Sequence, residues 1–340
     1  MALSFNRDAT DRVYVIAEVG VNHDGSVDDA HRLVDLAADC GADSVKFQTF
    51  DPAAIVSGLA EAAPYQRELA QVSTQQELLA RYVLPDSAWG ELAAHSRERG
   101  LDFMSTTVDT ASLDLITSLD VQALKIGSGE LTNKPFLVET AQRGLAVILS
   151  TGMGTMQEVR DAVGWLEGVP QLMLLHCVSS YPAPAEQANL RAIPTMRDEF
   201  NVAVGWSDHT VGNVSAVAAV AIGAASLEKH ITLDKHREGP DHMASADAEE
   251  FTDYVRAVRQ AYVSLGDGIK VPVPSEMENR PLVRRSWHAR HALEAGHVLT
   301  AGDVVTLRPA AGLEPSFDII GHRTSRSLAA GAAIVADDLD

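Results

Sequence analysis

The chain predicts an α/β fold, a (β/α)8 barrel followed by a small loop-rich C-terminal domain. Three observations carry that expectation. Eight short apolar runs recur at an even pace, at 13–19, 44–50, 102–107, 123–127, 147–152, 172–178, 202–207 and 226–232. They are nearly continuous in Val, Ile, Leu and Phe rather than alternating, as expected of strands buried on both faces of a parallel sheet. Helical patterns lie between them, and eightfold alternation of strand and helix points to a closed barrel, with a doubly wound open sheet as the alternative.

The helices follow in order. Residues 28–38 place Ala30, Leu33, Val34 and Ala37 on one face, and 86–99 start with an acidic residue after Pro85. Residues 155–166 begin with Thr155 and carry Glu158 three residues on, the spacing of a capping box. Residues 213–224 are small and apolar, suited to close packing on a sheet. The pattern then breaks: Gly266, Gly268, Pro272, Pro274 and Pro281 read as a linker. Short segments punctuated by Ala-Gly pairs follow to the end. The expected division is a barrel domain at 1–267, a linker at 268–283 and a compact small domain at 284–340, near the lower size limit for independent stability.

A net charge of -20 argues against nucleic acid or an anionic membrane as the main partner. An anionic substrate would need a local basic pocket against that field, so individual lysines carry weight. Cys40 and Cys177 read as buried thiols rather than a disulfide, which fits a reducing compartment. The first residues hold no apolar core of signal-peptide length, and no run approaches the ~18 apolar residues of a membrane span. A cytoplasmic protein is the expectation.

In a (β/α)8 barrel the active site is built at the C-terminal strand ends. Here every strand ends in polar or ionisable residues: Glu18 with Asn22-His23, Lys46 and Gln48, Ser105 and Thr106, Lys125 with Ser128 and Glu130, Ser150 and Thr151, His176 with Ser179 and Tyr181, Ser207 with Asp208 and His209, and Glu228 with Lys229 and His230. Eight such ends describe a catalytic mouth better than a set of solvated termini. Lys46 and Lys125 sit inside apolar runs, where an unpaired ammonium is costly. They call either for a buried Glu partner, Glu18 or Glu130, or for a phosphate and carboxylate of the substrate, with the small residues of GSGE letting backbone N–H groups approach an anion. His209 and His230 end neighbouring strands. They form either a hydrogen-bonded pair or a two-imidazole seat for a first-row divalent metal.

These segments resemble the sialic acid (N-acetylneuraminate) synthase family: IAEVGVNHDGS at 16–26, GADSVKFQT at 41–49, LKIGSGE at 124–130, LSTGM at 149–153, LHCVSSYPAP at 175–184, GWSDHT at 205–210 and LEKHITLDKHREGPDH at 227–242. The tail at 284–309 resembles that family's antifreeze-like (SAF) domain. The resemblance implies condensation of phosphoenolpyruvate with an N-acyl amino-sugar aldose, N-acetylmannosamine or a related hexosamine, to a sialic-acid-type nonulosonate. It also implies a divalent metal, usually manganese with magnesium or cobalt as alternatives, and a domain-swapped homodimer. By motif, the metal ligands fall on His209 and His230, and the phosphoenolpyruvate contacts on Lys46, Thr106, Lys125, Ser128, Ser150 and Ser207. Glu18 and Glu130 are the acid–base carboxylates. Gln48, Tyr181 and Asp241 face the sugar, and Arg308 is the arginine a partner subunit offers to its acyl group. The chain departs from the family pattern at Thr107-Val108, at Ser180 before Tyr181, and at Ala310-Ala311 after Arg308-Pro309. Those positions border the sugar, which leaves a diacetamido hexose, as in legionaminic or pseudaminic acid synthesis, as the nearest alternative. A different metal-dependent barrel lyase or hydrolase, and a non-catalytic binding protein whose small domain adheres to sugar or ice, are the more distant ones.

Overall fold

The computed structural model describes residues 5, 13–57 and 74–340. Eight parallel strands close on themselves in sequence order: β1 (Tyr14–Gly20), β2 (Ser44–Thr49), β3 (Asp102–Thr107), β4 (Ala123–Ile126), β5 (Ala146–Ser150), β6 (Leu172–Cys177), β7 (Ala203–Asp208) and β8 (Ser226–His230). β8 pairs back onto β1, with Glu18 opposite His230, and the open-sheet alternative is excluded. The helix of 155–166 runs over Met156–Trp165, with the expected reciprocal bonds between Thr155 and Glu158.

The strands are buried on both faces because each face meets a different core. One set of side chains, among them Val15, Ala17, Val45, Phe47, Leu124, Leu174 and Trp206, packs outward under the helices. The alternate set points into the barrel: Tyr14, Ile16, Met104, Ala123, Ala146, Ile148, Met173, Leu175 and Ala203 fill its lower interior. Strand side chains alternate with a period of two. Continuing each inward column upward therefore gives Glu18, Lys46 and Gln48, Thr106, Lys125, Ser150, Cys177, Ser207, and Glu228 with His230. The barrel floor is apolar and its mouth polar. The interior is tight at Gly205, where a Cβ would come within 2.2 Å of Ser226 Oγ and 2.6 Å of Leu175 Cδ2.

The chain divides into one compact unit ending at Gly266 and a second spanning Asp267–Asp340. The second unit begins with a run exposed from 267 to 279 that holds a short helix at Pro274–Met277. It continues into an antiparallel pair, β9 (Ser286–Ala289) and β10 (Val304–Leu307), with turns between short bridges. Its own small core is Ala289, Leu293, Leu299, Val304, Ile319, Leu328 and Ile334. Cys40 and Cys177 are both free and buried. No helix among the described residues is long and apolar enough to cross a membrane.

Candidate active site

Lys46 stands at the centre of the mouth. Its Nζ lies 2.6 Å from Glu18 Oε2 and 3.7 Å from Glu228 Oε2, and it donates to Thr106 Oγ1 at 2.9 Å. Burial alone would depress this ammonium, but the two carboxylates outweigh it and hold its pKa above the ordinary lysine range. Lys125 is different. It donates to Ser150 Oγ at 2.6 Å and to Ile126 O at 3.2 Å, with no carboxylate in hydrogen-bond reach among its recorded contacts. Burial lowers its pKa, offset in part by the nearby Glu228 charge. A buried ammonium satisfied by neutral oxygens is a seat for an incoming anion.

The carboxylates divide as sharply. Burial pushes Glu18 up to about 7 against the pull of Lys46, while Glu228 is held below the usual range because Lys125, Lys46 and the Ser207 hydroxyl outweigh its burial. Gln48 Nε2 donates to Glu18 Oε1 at 3.1 Å, and Ser207 Oγ donates to Glu228 Oε1 at 2.8 Å.

On the far side, the rings of His209 and His230 meet edge to face with centroids 5.6 Å apart, and Tyr181 lies against both, at 4.1 and 5.6 Å. His209 Nδ1 is 2.6 Å from Val178 O. A carbonyl only accepts, so Nδ1 carries the proton and Nε2 keeps its lone pair. His230 Nδ1 is buried with no hydrogen-bond partner and stands 3.8 Å from Asp241 Oδ2. Burial holds both imidazoles below the usual histidine range, and neighbouring His209 and Lys46 push His230 further. Two neutral imidazoles, one tautomer fixed by a backbone carbonyl and one nitrogen orphaned, suit a divalent cation, which requires deprotonated ligands. Among the described residues no group of three or more His, Cys, Asp or Glu side chains is arranged to hold a metal. The two imidazoles would thus leave coordination positions to water or substrate.

The two lysines, Glu18, Gln48, Thr106, Ser150, Ser207, His209, His230, Tyr181 and Asp241 thus line one rim. Ser128 stands beside it, accepting from Gly152 N at 2.9 Å and touching Cys177 Sγ at 3.2 Å. Glu130 does not join the carboxylate cluster. It lies four residues beyond the end of β4, on the short turn Ser128–Glu130, and accepts from Asn133 Nδ2 at 2.5 Å. The carboxylate that the lysines do share is Glu228. The LEKH segment carries the signal for it, since a period of two puts Glu228 and His230 on one face and turns Lys229 outward, where it bonds Thr210 O and faces Asp208 at 3.9 Å. His176 is engaged with Ala188 O at 2.9 Å, and His236 is exposed. Arg308 follows β10 in the second unit and is exposed.

The profile of the NeuB family matches residues 33–270, and that of the SAF domain residues 284–340. The chain belongs to the NeuB family. It is 41% identical over 336 residues to the N,N'-diacetyllegionaminic acid synthase of Legionella pneumophila, covering 96% of this chain and 94% of that one. The protein of the same name from Campylobacter jejuni is 40% identical, covering 89% and 92%. Among solved structures, the N-acetylneuraminic acid synthetase of Leptospira borgpetersenii superposes with a TM-score of 0.70 at 32% identity, covering 79% of this chain and 90% of that one. This NeuB-family chain is an enzyme of the synthase type and carries a C-terminal SAF domain.

Proposed function

We propose that the mouth condenses phosphoenolpyruvate with an N-acylated amino-sugar aldose to a nine-carbon, sialic-acid-type acid and releases phosphate. The observation that carries this reading is the meeting of two buried ammonium groups and two neutral imidazoles on one rim. Lys46 with Thr106, and Lys125 with Ser150, hold the phosphate and carboxylate, helped by Ser128 and Ser207. These charges stabilise the transition state by standing in place before the reaction starts. His209 and His230 would hold a divalent metal, with Mn2+ favoured over Mg2+ or Co2+, which when bound supplies Lewis-acid polarisation of the aldehyde. Gln48, Tyr181 and Asp241 orient the sugar so that its aldehyde carbon faces C3 of phosphoenolpyruvate. As the C–C bond forms, the aldehyde oxygen takes a proton and water adds at C2. Loss of phosphate from C2 then leaves the ketone. Glu18, whose proton affinity lies near neutrality, moves a proton in these steps.

Within that class, a 2,4-diacetamido-trideoxyhexose is favoured over N-acetylmannosamine by the names of the Legionella and Campylobacter relatives. An aldose without a phosphate is favoured by the cations of the loop after β8. Lys235 is paired with Glu250 at 2.8 Å, and Arg237 with Asp29 at 2.8 Å and Asp24 at 3.5 Å. A panel of aldoses incubated with phosphoenolpyruvate, read by phosphate release and product mass, tests the assignment. Release that needs no aldose would overturn it.

The SAF unit is proposed to serve a partner's mouth in a domain-swapped homodimer. Mixing Arg308→Ala with Lys46→Ala subunits should restore activity, because one barrel then has every group. No restoration places Arg308 in its own subunit's site.

A further inference from the structure

Asn22 lies in the turn leaving β1 and is wholly buried. Its Nδ2 donates to Ile231 O and to Ser245 Oγ, both at 2.8 Å. Ile231 follows His230 directly, and Ser245 Oγ donates onward to the backbone carbonyl of Asp241 at 2.7 Å. One planar amide therefore clasps two stretches of chain more than two hundred residues away: the end of β8 that carries His230, and the turn that presents Asp241. Asn22 Oδ1 is buried and meets no hydrogen-bond donor of the protein. The next turn anchors the same loop from outside, where the Asp24 carboxylate meets His242 Nε2 at 3.0 Å.

We propose that Asn22 is a positioning residue for the imidazole half of the mouth. Its two N–H donors set the spacing between His230 and Asp241, and through it the affinity for the divalent cation and the amino sugar. The proposal rests on the synthase reading. The recorded side-chain bonds of Asn22 run only to the β8 side, while Lys46, Thr106, Lys125 and Ser150 sit on β2 to β5, so the anion seat should be indifferent to it. Asn22→Asp keeps the shape and removes both donors. It should weaken Mn2+ binding about 10-fold, the low end of the loss when a group supporting a metal ligand is removed, since Asn22 bonds the backbone after His230 and not its ring. It should raise KM for the sugar about tenfold or more, with KM for phosphoenolpyruvate within about twofold. Ser245→Ala removes one arm and should shift the same quantities in the same direction by less.

The test is titration of the full-length protein with Mn2+, followed by electron paramagnetic resonance of the free ion, together with both Michaelis constants. Circular dichroism checks the fold, and Ser245→Ala carries the test should Asn22→Asp not fold. His230→Ala is the reference. If it loses Mn2+ while the Asn22 and Ser245 variants bind it like the wild type with an unchanged ratio of Michaelis constants, the inference on Asn22 is wrong and the synthase reading stands. If His230→Ala still binds Mn2+ fully, the reading of the site falls, and the inference with it.

Discussion

On the β2–β5 side of the mouth the lysines are ammonium ions set among oxygens; on the β7–β8 side the imidazoles are neutral and one nitrogen is left open. Both lysines and both imidazoles are buried, so burial is not what separates them. Partners are. The pKa of Lys46 is raised because two carboxylates outweigh its desolvation, whereas at His209 and His230 burial outweighs the nearby Glu228 charge, and Asp241 at 3.8 Å from His230 does not reverse it. The first half is suited to hold anions, the second to offer lone pairs.

The comparison breaks most visibly at Lys46. Lys46→Ala leaves Glu18 and Glu228 facing each other without the shared cation. Turnover should fall at least about a thousandfold, and denaturant unfolding should show a loss of about 3–5 kcal/mol, the usual result of removing one partner of a buried pair. His230→Ala on the neutral half should likewise abolish metal-dependent turnover, but with the fold intact and a smaller loss of stability than Lys46→Ala, because no buried charge is left unpaired. Normal activity in that variant would refute the ligand role. If both variants lose stability equally, the two halves do not differ as described.

A pH series sharpens the same contrast. Glu18 is held at about 7 against 4.5 for a free glutamate. Between those values the folded protein keeps a proton that the unfolded chain has lost, so the Glu18 contribution to stability falls as pH rises through the window. The buried histidines act oppositely, losing stability as pH falls below 6.5, but they cancel when wild type is compared with Glu18→Gln. That difference in unfolding free energy should decline from pH 5 to pH 7, and a flat difference would show that Glu18 does not titrate there. Arg308→Ala, in the other unit, should raise KM for the sugar several-fold and KM for phosphoenolpyruvate within about twofold; equal changes would contradict its assigned role. The smallest effect belongs to Thr155→Ala, far from either half in role, which should cost about 1 kcal/mol of stability through the lost helix cap and leave both Michaelis constants alone.

Much of this was legible in the sequence because barrel strands obey short-range rules. Continuous apolar runs mark strands covered on both faces, and polar residues at their C-terminal ends mark the rim; Lys46, Lys125, His209 and His230 follow from those two facts. Thr155 and Glu158 were readable as a cap because the motif spans four residues. Glu130 and Glu228 show where this stops. Both are glutamates near a strand end. Which one reaches the lysines depends on the residue at which the strand gives way to a turn, and on which neighbour closes the barrel.

The sequence by itself determined the order of strands and helices, the polar rim and the family, since periodicity and motif are local properties of the chain. Only the tertiary structure decided that Glu18 and Glu228 share Lys46, that His230 keeps an open nitrogen, and that Asn22 ties β8 to the Asp241 turn. These depend on distances between residues up to two hundred or more positions apart, and on desolvation, which exists only once the barrel has closed.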